Sequence, residues 1–240
     1  MPDVGELVAR LSADDLAAGE RRGLLLTLTR ALATGARAAG TRAALSGRWL
    51  ADLVADDVAP HLPVRDLLTL RDHHGGLSGD DLADALIRHA ARTTAAVGAA
   101  AGALAAAELA APPTLLAAPV QLVAETLVVV AVELKLVAEL HVVYGRAPLG
   151  SRAQVAVAYL TSWAGRRAVS GGGGGGPSLS SVLSAAAKQQ LRQRMVRRLA
   201  RNLSSLAPFL AGAVAGAELN RRETRSLGEV LVRDLQPRRR

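Results

Sequence analysis

From Thr93 to Val132 the only charged residues are Glu108 and Glu125, and most other positions are Ala, Leu, Val or Gly. A helix that is apolar on every side has to be buried, in protein or in lipid. Pro112-Pro113 divides the run into two helices. Elsewhere apolar positions recur three and four apart, the period of a helix with one covered face. The pattern therefore predicts an all-α, multi-helix bundle around a long buried Ala/Val/Leu-rich helical hairpin.

Along the chain, Ser12 and Asp15 have capping-box spacing and predict a first helix over about residues 13–34, closed by Gly35. A second, over about 42–58, carries Leu45, Trp49, Leu50 and Leu53 on one face, and Pro60 and Pro63 end it. A short helix over 64–71 leads to the loop His73-His74-Gly75-Gly76. Ser78 with Asp81 repeats the capping signal and opens a long helix with Leu82, Leu86 and Ile87 inward. After the proline pair, residues 114–144 make a helix about 45 Å long at about 1.5 Å per residue, capped by Gly145. On it Gln121, Glu125, Lys135 and Glu139 fall within about 80° of one another, a buried polar edge, while Glu133 lies about 80° to the other side of Glu125.

Ser151 caps a further helix to about Val169, with Val155, Tyr159 and Trp163 at four-residue steps. Six glycines, 171–176, then form a flexible connector, and with no strand before and no Gly-Lys-Ser/Thr after they do not make a phosphate-binding loop. The last part holds Pro208, Gly212, Gly216, Asn220, Thr224 and Gly228 at an unbroken four-residue interval, a packing ladder on which another helix can settle. The expected organisation is an N-terminal helical extension (1–77), core helices with the apolar hairpin (78–170), the connector (171–178), a basic helix with the ladder hairpin (179–235) and a basic tail (236–240).

The hairpin is a poor bilayer span. Ten Leu and Val residues between Thr114 and Val132 contribute about −5 kcal/mol on an insertion scale, and a charge such as central Glu125 costs about 2.5–3.5 kcal/mol. Its first helix offers mostly Ala, with Gly98 and Gly102 spaced for close helix contact. Shelter inside the chain is the expectation, and an integral membrane hairpin the alternative.

Charge is uneven: residues 146–240 carry 17 basic against 4 acidic residues, whereas the rest of the chain is net acidic. Arg194, Arg197, Arg198 and Arg201 share one side of the basic helix, opposite Leu191, Met195, Leu199 and Leu203. That face reads as solvated surface or as a contact for anionic lipid headgroups, and aromatic residues at 2% of the chain argue against a base-stacking nucleic-acid platform. No cysteine is present, which excludes disulfides and thiolate chemistry. The amino terminus lacks a basic patch followed by an apolar run, so no secretory signal is expected, and the setting is cytoplasmic or peripheral at a membrane.

Candidate chemistry is thin. His73-His74 with Asp72, Asp80 or Asp81 could seed a metal site but lack a second ligand pair, and His61, His89 and His141 stand apart. Glu125 with Glu133 or Glu139 has no accompanying nucleophile; a pocket joining Glu125 to His89 or His141 would point to an enzyme. No catalytic residue, metal or cofactor is expected.

Two stretches, ELHVVYGRAPLGSRAQVAVAYLTSW (139–163) and SSLAPFLAGAVAGAELNRRETRSLGEVLVRDL (204–235), resemble the EcsC family of bacterial helical proteins and, more distantly, the helical domain attached to some bacterial GTPases. Tyr144-Gly145 and the ladder from Pro208 to Gly228 carry the resemblance, which spans about residues 78–235. It implies a membrane-related role on the cytoplasmic side and no established chemistry. The poly-Gly connector and the arginine enrichment depart from that family's pattern. The expected function is a non-enzymatic protein that associates reversibly with an anionic membrane or a lipid-like ligand, and the alternative is a scaffold that docks a helical protein partner.

Overall fold

Asp3, not Ser12, starts the first helix. The computed structural model describes residues 3–13, 15–39, 49, 52–109, 118–149, 155, 158–163 and 210–236, and among them helix is the only extended element. In α1 (Val4–Leu11) the Asp3 Oδ1 accepts from the backbone N–H of Gly5 and Glu6 at 2.6 and 3.1 Å, two donors that a helix start leaves unpaired. Val8 and Leu11 face the core. Ser12 closes this helix: its Oγ donates to the Val8 carbonyl at 2.8 Å, and Asp15 turns outward to Arg10. The expected capping box at Ser12 is thus corrected, because the earlier carboxylate and the apolar spacing of Val4, Val8 and Leu11 already define a helix there.

The second helix, α2 (Ala18–Ala39), buries Leu25, Leu28 and Leu32. Its Arg21, itself buried, donates to the carbonyls of Leu11 and Ala13 at 2.8 and 3.2 Å, which puts a cation against the negative end of α1. Gly35 lies inside α2 and does not stop it. Helix α2 is followed, after a stretch outside the described residues, by a π-helical turn at Leu53–Val58 and a 3₁₀ turn at Ala59–His61 that contains Pro60.

Asp66 caps α3 (Leu67–His73), accepting from the Thr69 N–H at 2.8 Å; this hydrogen bond holds its carboxyl below the ordinary value. Gly75 and Gly76 turn the chain at φ 63° and 82°, which a side chain disfavours. Two long helices follow: α4 (Gly79–Leu109) and α5 (Ala118–Val143). The latter is buried on nearly every side from Gln121 to Leu140, with Lys135 half-buried. Gly145 at φ 62° ends α5, its N–H bonded to Val142 and that of Arg146 to His141, the paired bonds of a Schellman motif. The Tyr144 hydroxyl donates to Asp80 Oδ1 at 2.7 Å and ties the end of α5 to the start of α4; burial, then Asp80, raises the Tyr144 pKa.

Helix α6 (Leu210–Leu235) runs antiparallel to α4, since Gly98 meets Gly216, Thr94 meets Thr224 and Ile87 meets Gly228. One buried cluster joins α1, α2, α4, α5 and α6 with Tyr159 and Trp163. The chain is therefore an all-α multi-helix fold. No helix among the described residues is long and apolar enough to cross a membrane.

Candidate functional site

Helix α5 places several polar side chains among its apolar ones, and the structure turns them toward different neighbours. Gln121 Nε2 donates to the Ala101 carbonyl of α4 at 2.7 Å. Glu125 Oε1 accepts from Asn220 Nδ2 of α6 at 3.0 Å, and the same amide reaches the Thr94 carbonyl at 3.2 Å. Glu133, fully buried, accepts from Trp163 Nε1 at 2.8 Å and from Thr224 Oγ1 at 3.0 Å. Thr224 also lies 3.0 Å from the Thr94 hydroxyl. A hydroxyl has one proton: Thr224 donates to Glu133, and the Thr94 Oγ1 lies within reach both of the Thr224 hydroxyl and of the Ala91 and Asn220 carbonyls, at 3.2 and 3.4 Å.

This polar chain is possible because α4 and α6 approach closely. A Cβ added to Gly98 would stand 2.6 Å from Asn220 Nδ2 and 3.0 Å from the Gly216 carbonyl carbon and oxygen. Gly216, Asn220, Thr224 and Gly228 face α4 along this contact, and a Cβ on Gly228 would meet Ile87 Cγ1 at 2.5 Å. Of Gly212 only its place in α6 is described, and Pro208, Arg194, Arg197, Arg198, Arg201 and the 171–178 connector lie outside the described residues.

A second polar group forms farther along α5, toward its C-terminal end. Arg65, between the 3₁₀ turn and α3, gives Glu139 a two-pronged ion pair, Nε to Oε1 at 2.8 Å and Nη2 to Oε2 at 2.9 Å. The Glu139 side chain is 3% exposed and that of Arg65 19%. Such a pair holds because both oxygens are satisfied in a fixed fork, whereas either charge alone would be strongly unfavourable there. Beside it Ser12, His89 and Lys135 complete a notch of about 20 Å³, with Leu86, Val132 and Leu136 on its apolar walls. That volume holds about one water-sized group. Among the described residues Lys135 takes part in no hydrogen bond or ion pair.

The histidines are dispersed. His74 ends α3 and sets its ring edge-on to His89, centroids 6.0 Å apart; His141 bonds the Val137 carbonyl at 2.7 Å and packs on Tyr159. Glu125 meets neither His89 nor His141 in the notch. Among the described residues no three His, Asp or Glu side chains gather as a metal site. Exposed large aliphatics include Val64, Leu67 and Leu68, a short outward strip at α3.

Sequence spacing placed Lys135 and Glu139 on one sector of α5, but it missed Arg65, Ser12 and His89 as their neighbours, and Thr94, Glu133 and Trp163 as members of the buried network. One signal was present: residues 93–145 carry four acidic residues against one lysine, so cations or donors from elsewhere in the chain had to reach them. No protein-family model, curated protein or solved structure matches the chain.

Proposed function

We propose that this is a non-enzymatic helical protein that associates reversibly with an anionic membrane surface, or a lipid-like ligand drawn from it, on the cytoplasmic side. The observation that carries the reading is the exposed strip of Val64, Leu67 and Leu68, with Leu68 77% exposed. Three large aliphatics within five positions are available to enter an interface, where burying one leucine contributes about 1.5–3 kcal/mol. The basic face of Arg194, Arg197, Arg198 and Arg201, with Arg238, Arg239 and Arg240, supplies the charge, at about 1 kcal/mol per basic residue close to an anionic surface. The resemblance to the EcsC family supports the same setting. The protein donors that meet Glu125, Glu133 and Glu139 favour this reading over an integral hairpin.

Co-sedimentation with vesicles of phosphatidylcholine alone, or mixed with phosphatidylglycerol, tests it. Binding is expected only to the anionic vesicles, to fall at high salt, and to weaken in Leu68→Gln and in a variant with Arg194, Arg197, Arg198 and Arg201 all changed to Gln. Absence of binding at either salt rejects the proposal. A complex with another helical protein that forms without lipid would favour the scaffold reading.

A further inference from the structure

Among the described residues the exposed large aliphatics gather toward one end of the bundle. Helix α4 starts there, α5 ends there at Tyr144, bonded to Asp80, and α6 ends there, its Gln236 side chain hydrogen-bonded to the Tyr144 hydroxyl. Leu77 enters α4 at this end, and the chain leaving α5 carries Leu149, which is 98% exposed. The α3 strip is tied to the same part of the molecule, because Arg65 grips Glu139 five residues, or about 8 Å, before Tyr144. Val214 stands apart from them: it lies beyond the contact of Gly216 with Gly98, toward the opposite end of α4.

Each aliphatic point is accompanied by a cation. On α3, Arg71 follows Leu67 and Leu68 by four and three residues and so shares their outward face. In the loop after α5, Arg146 precedes Leu149 by three residues and is likewise exposed. Among the described residues neither guanidinium has an ion pair or a hydrogen bond. Of the nearby carboxylates, Asp66 caps α3, Asp80 accepts from Tyr144, and Asp80 and Asp81 stand in the first turn of α4, where the helix dipole holds them. Asp72 and Asp84 remain, against Arg71, Arg146 and the Arg238, Arg239 and Arg240 that follow Gln236 in the chain.

We infer that the loop over 145–149 is a second membrane contact, which together with the α3 strip docks the chain by this end on an anionic bilayer. Leu149 and Leu68 enter the interface, and Arg146 and Arg71 meet the lipid phosphates beside them. An aliphatic side chain standing in water gains most from that transfer, and an arginine next to it keeps its charge at the headgroup level. Docking by one end leaves α5 inside the bundle, since both contacts lie outside that helix. The inference rests on the membrane reading above and adds to it the loop and the orientation.

The chain has no cysteine, so a single one can carry an environment-sensitive dye in the full chain. With Leu149→Cys, Leu68→Cys or Val214→Cys labelled, vesicles of phosphatidylcholine mixed with phosphatidylglycerol should shift the dye emission to the blue at positions 149 and 68. Emission at position 214 should not change. Leu149→Gln should weaken vesicle binding about tenfold, the loss of one buried leucine, and Val214→Gln should leave it as it was. Leu149 and Val214 are both exposed, so neither change removes a contact that the fold needs.

A dye at position 149 that stays in water while position 68 enters the bilayer overturns the inference and leaves the membrane reading standing. Entry of position 214 as well as 149 rejects docking by one end. A blue shift at position 149 without vesicles, rising with protein concentration, makes a second copy of the chain the occupant and overturns it too. Failure of the unaltered chain to bind the vesicles removes both the inference and the reading beneath it.

Discussion

Glu133 and Glu139 lie on the same helix, both buried, and are satisfied by different chemistry. Glu133 receives the indole of Trp163 and the hydroxyl of Thr224, whereas Glu139 receives a two-pronged guanidinium from Arg65. The neighbours explain the difference. Toward α6, the backbones of Gly98 and Gly216 come so close that a methyl group on Gly98 would be crowded, and Asn220 and Thr224 supply short side chains as donors. Toward the N-terminal part the neighbour is a non-helical segment, which leaves room for a long side chain and for a small notch. Tight packing and ionic pairing are thus two ways of keeping a carboxylate inside an apolar bundle, and only the looser one leaves a small notch beside it.

The comparison can be broken most forcefully at Arg65. Arg65→Met leaves the Glu139 carboxylate buried without its fork and should lower stability by about 3 kcal/mol, whereas Arg65→Met with Glu139→Met should recover most of the loss. Urea unfolding of the two singles and the double reads the coupling, and a double variant as unstable as the summed singles would contradict the pairing. On the tight side Gly98→Ala should cost about 2 kcal/mol, because its Cβ meets backbone that cannot move freely. Gly23→Ala in α2, where nothing lies within 4 Å, should instead stabilise by about 0.5–1 kcal/mol. Thr224→Val keeps the shape of the seam and removes a donor to Glu133; a loss of about 1–2 kcal/mol in the same assay is expected.

The smallest effect concerns an exposed carboxylate outside both regions. Arg221 and Arg222 hold Glu218 down to about 2, below its ordinary 4.5. A depressed acid contributes its stability above the unfolded value and loses it as pH falls through the folded one. Wild type and Glu218→Gln should therefore separate slightly above pH 4.5 and converge toward pH 2, as followed by thermal melting across pH.

The buried α4 and α5 could be read from the sequence because a run with no polar face leaves a helix only one place to go. The start of α1 could also have been read, from Asp3 and the spacing of Val4, Val8 and Leu11, but the Ser12–Asp15 spacing competed with it. Gly35 shows the same weakness: one glycine does not stop a helix whose leucines remain in register, and α2 runs on to Ala39. The four-residue step from Gly216 to Gly228 is a local property and was visible. Gly98 was marked by its spacing with Gly102 and Ile87 by its inward face, but their pairing with the ladder, and that of Thr94, was not visible, because an Ala-rich helix offers many equivalent small positions. Arg65 had no local signature either, since its partner lies 74 residues away.

Everything above depends on α5 being sheltered by its own chain. Hydrogen exchange in buffer free of lipid and detergent tests this directly. Backbone amides from Leu122 to Leu140 should be among the slowest in the protein, far slower than those of the short exposed α3, and should stay slow when vesicles are added. Amides of α5 that exchange as fast as α3 in buffer and become protected only with lipid or detergent would contradict the account.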